Sequence, residues 1–483
     1  MQTHEVLAGV LQDAMCRMVG HMANGRYTQA GSIARQILRV DPANQTAKCE
    51  LAFSLDAQGH AGEAESLLLE LAESHKTQAR VWIMLGWFYA KHHRSENAVA
   101  ALQRASVLDP QQKEFALAML PVVVKGCDSD PEGTDAALWH RCGSQLADCG
   151  RSAESIRCFE NAIEQQPDFA ESHYRMAVER LRVGQYEQGF ADYEWRWEHF
   201  KSVGPYFRTL NLPTWKGEPI EGRRLVLFCE RGISEWIQFA RFISHVKHLL
   251  GPTIAVYCPR ELAPLLAGVE GVDHVIRHGD EVGAAGDCQF SVMSLPYILG
   301  VTQEVSAGKY LTPTAKGCPS KGVTNNLKVG LAWGGNPMSP NDQMRSIRLR
   351  QLDPLDTVLG TAFFGLQKDT RARVWKDQLV DLAEGASIHV NRMDHLWSNF
   401  DVAAADINDM DVVISVDTAV AHIAAAMGKE TWVLLPHVAD WTWGVGNKTV
   451  WYPSVTLYRQ QTPGDWSEVV ERVTRDLRGK VAA

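Results

Sequence analysis

A fixed spacing governs the first 200 residues. Gly25-Arg26-Tyr27 is answered by Gly59-His60-Ala61 thirty-four residues on, and Gly150-Arg151 by Gly184-Gln185 at the same interval. The Asp41-Pro42 pair returns as Asp109-Pro110, two periods later. In such a repeat each supersecondary unit cannot bury its apolar face alone, so neighbours must stack into a solenoid with one continuous core. In the third unit Trp82, Leu85-Gly86, Tyr89, Ala98, Ala101, Ala105 and Pro110 put apolar and small residues where two antiparallel helices interlock. Residues 111–133 break the spacing, with Lys125-Gly126-Cys127-Asp128-Ser129-Asp130-Pro131-Glu132-Gly133 as an insertion or a degenerate unit.

This pattern resembles the tetratricopeptide repeat. The array is expected over residues 1–200, with about five units. A stack of this kind presents a concave surface that commonly holds an extended peptide, so the expected partner is a protein bound there. The alternative is a structural role, in which the repeats cap, rigidify or dimerise the rest; a homo-oligomer stays open. The array ends on Phe190, Tyr193, Trp195, Arg196 and Trp197. Arg between two Trp suits either a cation–π clamp on a nucleotide or, more simply, a seal between the solenoid and the next domain.

At 483 residues the chain is long enough for about three domains. Hydrophobic content of 45% and charged content of 22% are those of a globular protein. A net charge of −9 argues against a general grip on nucleic acid or an anionic membrane. The ten cysteines stand singly, without a Cys-x-x-Cys pair or the Cys/His spacing of a metal site, which fits a reduced compartment. The opening residues lack the basic and apolar regions of a signal peptide, and no apolar run approaches the ~18 residues of a membrane span. A cytoplasmic protein without metal, membrane span or nucleic-acid partner is expected.

After a Pro- and Gly-rich linker over 201–222, the texture changes to alternating strand and helix. Strands are expected at 223–229, 253–258, 273–276 and 289–293, giving a first α/β half over 223–323. A second half, 324–483, has strands at 328–333, 361–366, 386–390, 411–416 and 431–435. Such alternation implies parallel, doubly wound sheets, whose ligands settle beyond the carboxyl ends of the strands. Three loops of the second half leave such ends: Gly334-Gly335-Asn336, Leu366-Gln367-Lys368, and Asp417-Thr418. Together they offer glycine backbone, a Lys charge and a helix N-terminus to a diphosphate. Asp417 and Thr418 equally suit a plain helix cap. Arg345, Arg348 and Arg350 add a basic cluster.

These segments resemble bacterial tetratricopeptide-repeat glycosyltransferases, whose catalytic part is similar to ADP-heptose:lipopolysaccharide heptosyltransferases and more distantly to O-GlcNAc transferase. The likeness rests on Tyr193–Trp197, Trp215–Pro219, Ser294–Pro296, Val329–Pro337, Arg345–Ile347, Leu366–Lys368, Ile414–His422 and Trp451–Pro453, in family order. It implies a GT-B fold of two Rossmann-like halves, with the nucleotide-sugar donor on the C-terminal half, the acceptor on the N-terminal half and no obligatory metal or other cofactor. Carried onto this chain, Lys368 and the backbone around Thr418 and Ala419 would hold the diphosphate, Gly335, Asn336 and Gln367 would join the donor nucleotide site, Asp417 would bond donor-sugar hydroxyls, and His422 would face the same pocket. The family's turn after the first strand ends in an aspartate, the proposed general base. Here Glu230-Arg231-Gly232-Ile233-Ser234-Glu235 stands in its place, so Glu235 is the catalytic candidate, and Ser234 replaces a glycine. For Glu235 the simpler alternative is a first-turn acid favourable to the helix dipole. The implied activity is sugar transfer to a protein such as flagellin, pilin or an adhesin. The alternatives are transfer to a cell-envelope glycan or lipopolysaccharide, and an inactive scaffold on the same fold.

Overall fold

The structure is a computed structural model and describes residues 11, 14–18, 20–21, 26–92, 94–108, 136–201, 210–220, 222–282, 288–301, 308–317, 326–336, 339, 342–367, 373–375, 378–380, 382–393 and 397–482. Gly25, Asp109-Pro110, the 111–133 break and Lys368 lie outside them. The chain divides into two compact units, 1–168 and 169–483.

The first unit is helical: α1 (Tyr27–Val40), α2 (Gln45–Ala57), α3 (Ala61–Ser74), α4 (Ala79–Lys91), α5 (Ser95–Leu108), α6 (Ala136–Ala147) and α7 (Ser152–Gln165). Small and apolar residues at helical spacing face inward, such as Ala30, Ala34 and Ile37 of α1 and Ala64, Leu68 and Leu71 of α3. The recurring glycine has a definite backbone role. Gly59 and Gly150 adopt φ of 85° and 74°, the left-handed region, and the next amide reaches back into the helix, His60 N–H to Leu55 O at 2.9 Å and Arg151 N–H to Leu146 O at 3.0 Å. This C-terminal cap reverses the chain into the following helix.

The second unit opens with α8 (Ala170–Arg182) and α9 (Tyr186–Tyr193), a last repeat pair, then α10 (Arg196–Lys201). A parallel sheet follows with β1 (Arg224–Phe228), β2 (Thr253–Cys258), β3 (His274–Arg277) and β4 (Cys288–Ser291), in the order β3-β2-β1-β4. Helices α11 (Ile233–Phe239) and α12 (Ile243–Leu250) follow β1, separated by a 3-10 turn. The C-terminal sheet contains β5 (Leu327–Ala332), β6 (Thr361–Gly365), β9 (Val390–Arg392), β10 (Val412–Val416), β11 (Thr431–Leu435) and β12 (Val455–Arg459). All run parallel in the order β12-β11-β10-β5-β6-β9, while β7 (Arg373–Trp375) and β8 (Gln378–Val380) form a separate hairpin. Helices α13 (Phe400–Asn408), α14 (Ala419–Ala426) and α15 (Ser467–Ala482) complete it. Strands β10 and β11 are buried along their whole length, as continuous apolar runs between helical layers require. The architecture is thus helical repeats followed by two parallel-sheet halves, as expected of a GT-B chain.

Three boundaries differ from the sequence reading. The last repeat belongs to the α/β unit, because Tyr186, Phe190 and Tyr193 pack edge-on or tilted against Trp441 and Trp451 of the C-terminal half. The stretch read as a linker is docked where described: Trp215 is buried, Trp215 N–H donates to Gln289 O at 2.9 Å, and Gln289 N–H donates to Pro213 O at 2.9 Å. An indole that needs burial thereby pins the connector beside β4. The strand expected at 386–390 starts at Val390, after a turn at 382–385.

Each sheet has one topological switch point, where successive strands depart to opposite sides. In the N-terminal sheet it lies between β1 and β4, and Arg196 fills it. Its guanidinium donates to Glu230 at 2.7 Å, Glu194 at 2.6 Å and Ser294 at 2.6 Å, and Ser291 donates to Glu230 at 2.5 Å. Trp197 and Tyr193 flank the cation at 4.6 and 4.9 Å. The aromatic segment therefore seals rather than clamps. Removing one partner of a buried pair leaves an uncompensated charge, so Arg196→Ala is expected to cost about 3–5 kcal/mol in chemical denaturation. Adding Glu230→Gln should recover part of that loss; equal losses in single and double variants would show that the ion pair is not its source.

Candidate functional site

The C-terminal sheet's switch point lies between β5 and β10, since the chain runs from β5 out through β6 to β9 and returns on the other side. Adjacent parallel strands β10, β5 and β6 bring the three expected loops to one rim. The loop after β5 is held from within. Gln367 Oε1 accepts from Trp333 N–H at 3.2 Å and Gly334 N–H at 2.7 Å, and Ser346 Oγ accepts from Gly335 N–H at 2.9 Å. These amides are bonded to protein, so the glycines do not offer them to a diphosphate as the sequence reading had them do. What Gly335 supplies is space. A Cβ there would sit 2.7 Å from Arg345 Nε and 2.7 Å from Asp342 Oδ1. Gln367 acts as a scaffold for that loop, and Asn336 is exposed at its tip.

That space admits Arg345, the one member of the basic cluster that reaches the rim. Its Nη1 lies 3.8 Å from Asp417 Oδ2 and its Nε 3.9 Å from Asp342 Oδ1, and Nε is buried without a hydrogen-bond partner. Arg348 instead opens the 3-10 turn 349–357 with its backbone, and Arg350 is exposed. Sequence spacing gave little notice of Arg345, because its approach to Asp417 depends on β5 and β10 being neighbours.

Asp417 and Thr418 do not act as an ordinary cap. Thr418 occupies the N-cap position of α14 with extended backbone but makes no side-chain cap bond; its hydroxyl pairs with Ser415 Oγ at 3.0 Å. The first turn of α14, from Ala419, thus opens without a side-chain cap, leaving donor groups and the positive end of the helix dipole at the rim. The Asp417 carboxylate is turned sideways, 3.7 Å from His422 Nε2. Burial in itself raises its pKa, but the neighbouring His422 and Arg345 outweigh this and hold the carboxyl below its ordinary value. His422, one turn into α14, is buried, with Nδ1 2.9 Å from Tyr452 OH and its ring 4.9 Å from Trp443. A helix N-terminus, a guanidinium and a carboxylate that stays ionised can bind an anionic group and the hydroxyls attached beside it.

Glu235 lies on the other half, in the first turn of α11, which packs against α14. Its Oε2 accepts from Gly232 N–H at 3.1 Å and its Oε1 lies 3.6 Å from Arg231 Nε. The side chain therefore reaches back to cap the N-terminus of its own helix through the Gly232 amide. Ser234 is helical, so the glycine it replaces is not needed for backbone reasons. No group of three or more metal-ligating side chains occurs among the described residues, and no helix among them is long and apolar enough to cross a membrane.

The depressed Asp417 carboxyl sets a pH window. It contributes stability above the unfolded-state value near 3.9, and loses it as pH falls through the lower folded-state value. Asp417→Asn is expected to lose on the order of 1 kcal/mol at pH 7, with the deficit shrinking below about pH 4. A deficit that is constant with pH in urea titrations would contradict this.

Residues 21–87 match the tetratricopeptide-repeat family, and the N-terminal helices carry that repeat. Protein FlbA of Caulobacter vibrioides is 22% identical over 439 residues, spanning 75% of this chain and 70% of that protein. Among solved structures, MamA MSR-1 is 18% identical, over 40% of this chain and 98% of its own, with a TM-score of 0.20. The glycosyl transferase family 9 structure from Veillonella parvula DSM 2008 is 11% identical, over 53% of this chain and 90% of its own, with a TM-score of 0.37. At these scores neither structural likeness bears on the chemistry, which rests on the residues themselves.

Proposed function

We propose that the chain is a cytoplasmic glycosyltransferase that moves a sugar from a nucleotide-sugar donor to a protein of the flagellin, pilin or adhesin type, recruited by the repeat array. The observation that carries this reading is the N-terminus of α14, without a side-chain cap, opening at the β5/β10 switch point beside Arg345 and Asp417. A diphosphate there would meet the helix N–H groups of Ala419 and its neighbours, the Arg345 guanidinium and, from the loop after β6, Lys368. Asp417 would accept from donor-sugar hydroxyls. Displacement at the anomeric carbon then needs a deprotonated acceptor on one face and stabilisation of the departing diphosphate on the other. The helix terminus and the two cations would supply the second, without an obligatory metal. Glu235, on the first turn of a helix packed against α14, would supply the first as general base.

A scaffold that binds a nucleotide sugar, or nothing, without turnover is the second reading. It draws on the hydrogen bond that commits Glu235 Oε2 to Gly232 N–H. For Glu235 to act as base, that hydrogen bond must open or Oε1, beside Arg231, must take the proton.

Thermal shift against UDP-, ADP-, GDP- and CMP-sugars tests the donor site, since a ligand of the folded form alone raises apparent stability. Arg345→Ala and Lys368→Ala are expected to weaken binding of the active donor by roughly 10-fold each, the loss of a charge-assisted contact. Unchanged calorimetric affinity in both would remove the diphosphate assignment. Glu235→Gln keeps a side-chain oxygen that can accept from Gly232 N–H. It should leave donor binding intact while cutting transfer about 10²–10⁴-fold, read by intact mass of a co-expressed acceptor. Near-normal transfer would assign the base elsewhere.

A further inference from the structure

Behind His422 runs a line of buried polar groups that leaves the donor half and ends in the other half. His422 Nδ1 lies 2.9 Å from the Tyr452 hydroxyl, thirty residues away in sequence. The Tyr452 ring lies under the Arg241 guanidinium at 4.6 Å, and Arg241 belongs to the turn between α11 and α12 of the N-terminal half. Arg241 also donates to Trp451 O at 2.5 Å, to its own helix at Gln238 O at 2.8 Å, and to the Tyr310 hydroxyl at 3.1 Å. Tyr310 in turn donates to Ile237 O at 3.0 Å. Arg241, His422 and Tyr452 are each at most 3% exposed.

The proton directions along this line follow from what each group can do. Arg241 only donates. Tyr310 spends its single proton on Ile237 O, so it has none for Tyr452. Burial, foremost, and the nearby Tyr310 hold the Tyr452 phenol well above its ordinary value, so it keeps its proton at neutral pH. Two acceptors lie near that proton, His422 Nδ1 and the Tyr310 oxygen, and the latter already accepts from Arg241. The Asp417 carboxylate can only accept and faces Nε2 at 3.7 Å, so the imidazole proton is carried by Nε2 and Nδ1 is left to accept from Tyr452. The groups facing this ring are Asp417 with Arg345 behind it, Tyr452 with Arg241 and Tyr310 behind it, and the Trp443 indole. None of them other than Tyr452 fixes Nδ1.

We propose that Tyr452, held by Arg241 of the N-terminal half, is a positioning residue that fixes His422 as the Nε2–H tautomer, so that the carboxylate end of the donor site is built jointly by both halves. Asp417 then has a permanent N–H donor on its inner side and keeps its outer lone pairs for ligand hydroxyls. A tautomer assigned by its second partner is a general device for aiming an imidazole. The proposal rests on the donor-site reading for its consequence in binding, but not for the tautomer itself.

The test uses the full chain labelled with ring-15N histidine at pH 7.5, without ligand, with His422→Gln identifying the His422 signals. The expected result is an unprotonated Nδ1 and a protonated Nε2 in the wild type, and a mixture of tautomers in Tyr452→Phe, which removes one oxygen and keeps the ring. A wild-type Nδ1 that carries a proton, or the same tautomer in Tyr452→Phe, overturns the proposal. Affinity for whichever of the UDP-, ADP-, GDP- or CMP-sugars stabilises the wild type should fall about fivefold in Tyr452→Phe, the loss of one hydrogen bond. Unchanged affinity overturns the positioning role. If none of the four binds the wild type, the donor reading fails while the ring signals still decide the tautomer.

Discussion

The structure turns on the close packing of one small-residue helix. Ala419–Ala426 carries five alanines, and Ala421, Ala424, Ala425 and Ala426 are buried in a core shared with Trp236, Ile237, Phe239 and Ala240 of the N-terminal half. Short side chains let α14 and α11 approach closely, and dispersion over that contact holds the two halves together. The same helix begins at the β5/β10 switch point. One element thus joins the halves along its flank and brings its electropositive end to the rim. Larger residues on its face would separate the halves and move that end together.

Around this helix the polar groups divide into those that are fully engaged and those that are left facing the rim. Arg196 is satisfied by Glu194, Glu230 and Ser294, and it occupies the N-terminal sheet's switch point as an internal ligand. Arg345 at the other switch point has a buried Nε without a hydrogen-bond partner and only long contacts to Asp342 and Asp417. Two switch points of the same kind are therefore treated oppositely. The first is closed by the segment that follows the last repeat pair, which ties that pair to the N-terminal half. The second keeps a cation and a helix terminus facing outward.

Much of this was legible in the sequence. The glycine spacing marked the helix caps of the repeats because a left-handed residue must recur wherever the chain reverses. The apolar runs at 412–416 and 431–435 marked strands buried on both faces, and the polar pair between them marked the carboxyl end of the first. Asp417, Thr418 and His422 were singled out on that ground, and they meet at one rim. What sequence could not supply was strand order. Arg345 gained its place only once β5 and β10 proved adjacent, and Gly335 proved to give room where its amide had been expected to bind. The Tyr452–His422 contact joins residues from two different loops, and no periodicity foretells it. Trp215 looked like linker because its neighbours are Pro and Gly, yet the indole docks the segment. Glu235 was legible both as base and as cap, and its hydrogen bond to Gly232 is the cap.

The proposed activity depends on an anionic donor seating on the N-terminus of α14. The most direct measurement is the structure of the full chain in complex with the nucleotide sugar that stabilises it. Diphosphate oxygens are expected within hydrogen-bond reach of the Ala419 and Val420 amides and of Arg345, with donor hydroxyls on Asp417. A donor bound elsewhere, with residues 417–420 and Arg345 untouched, would contradict it.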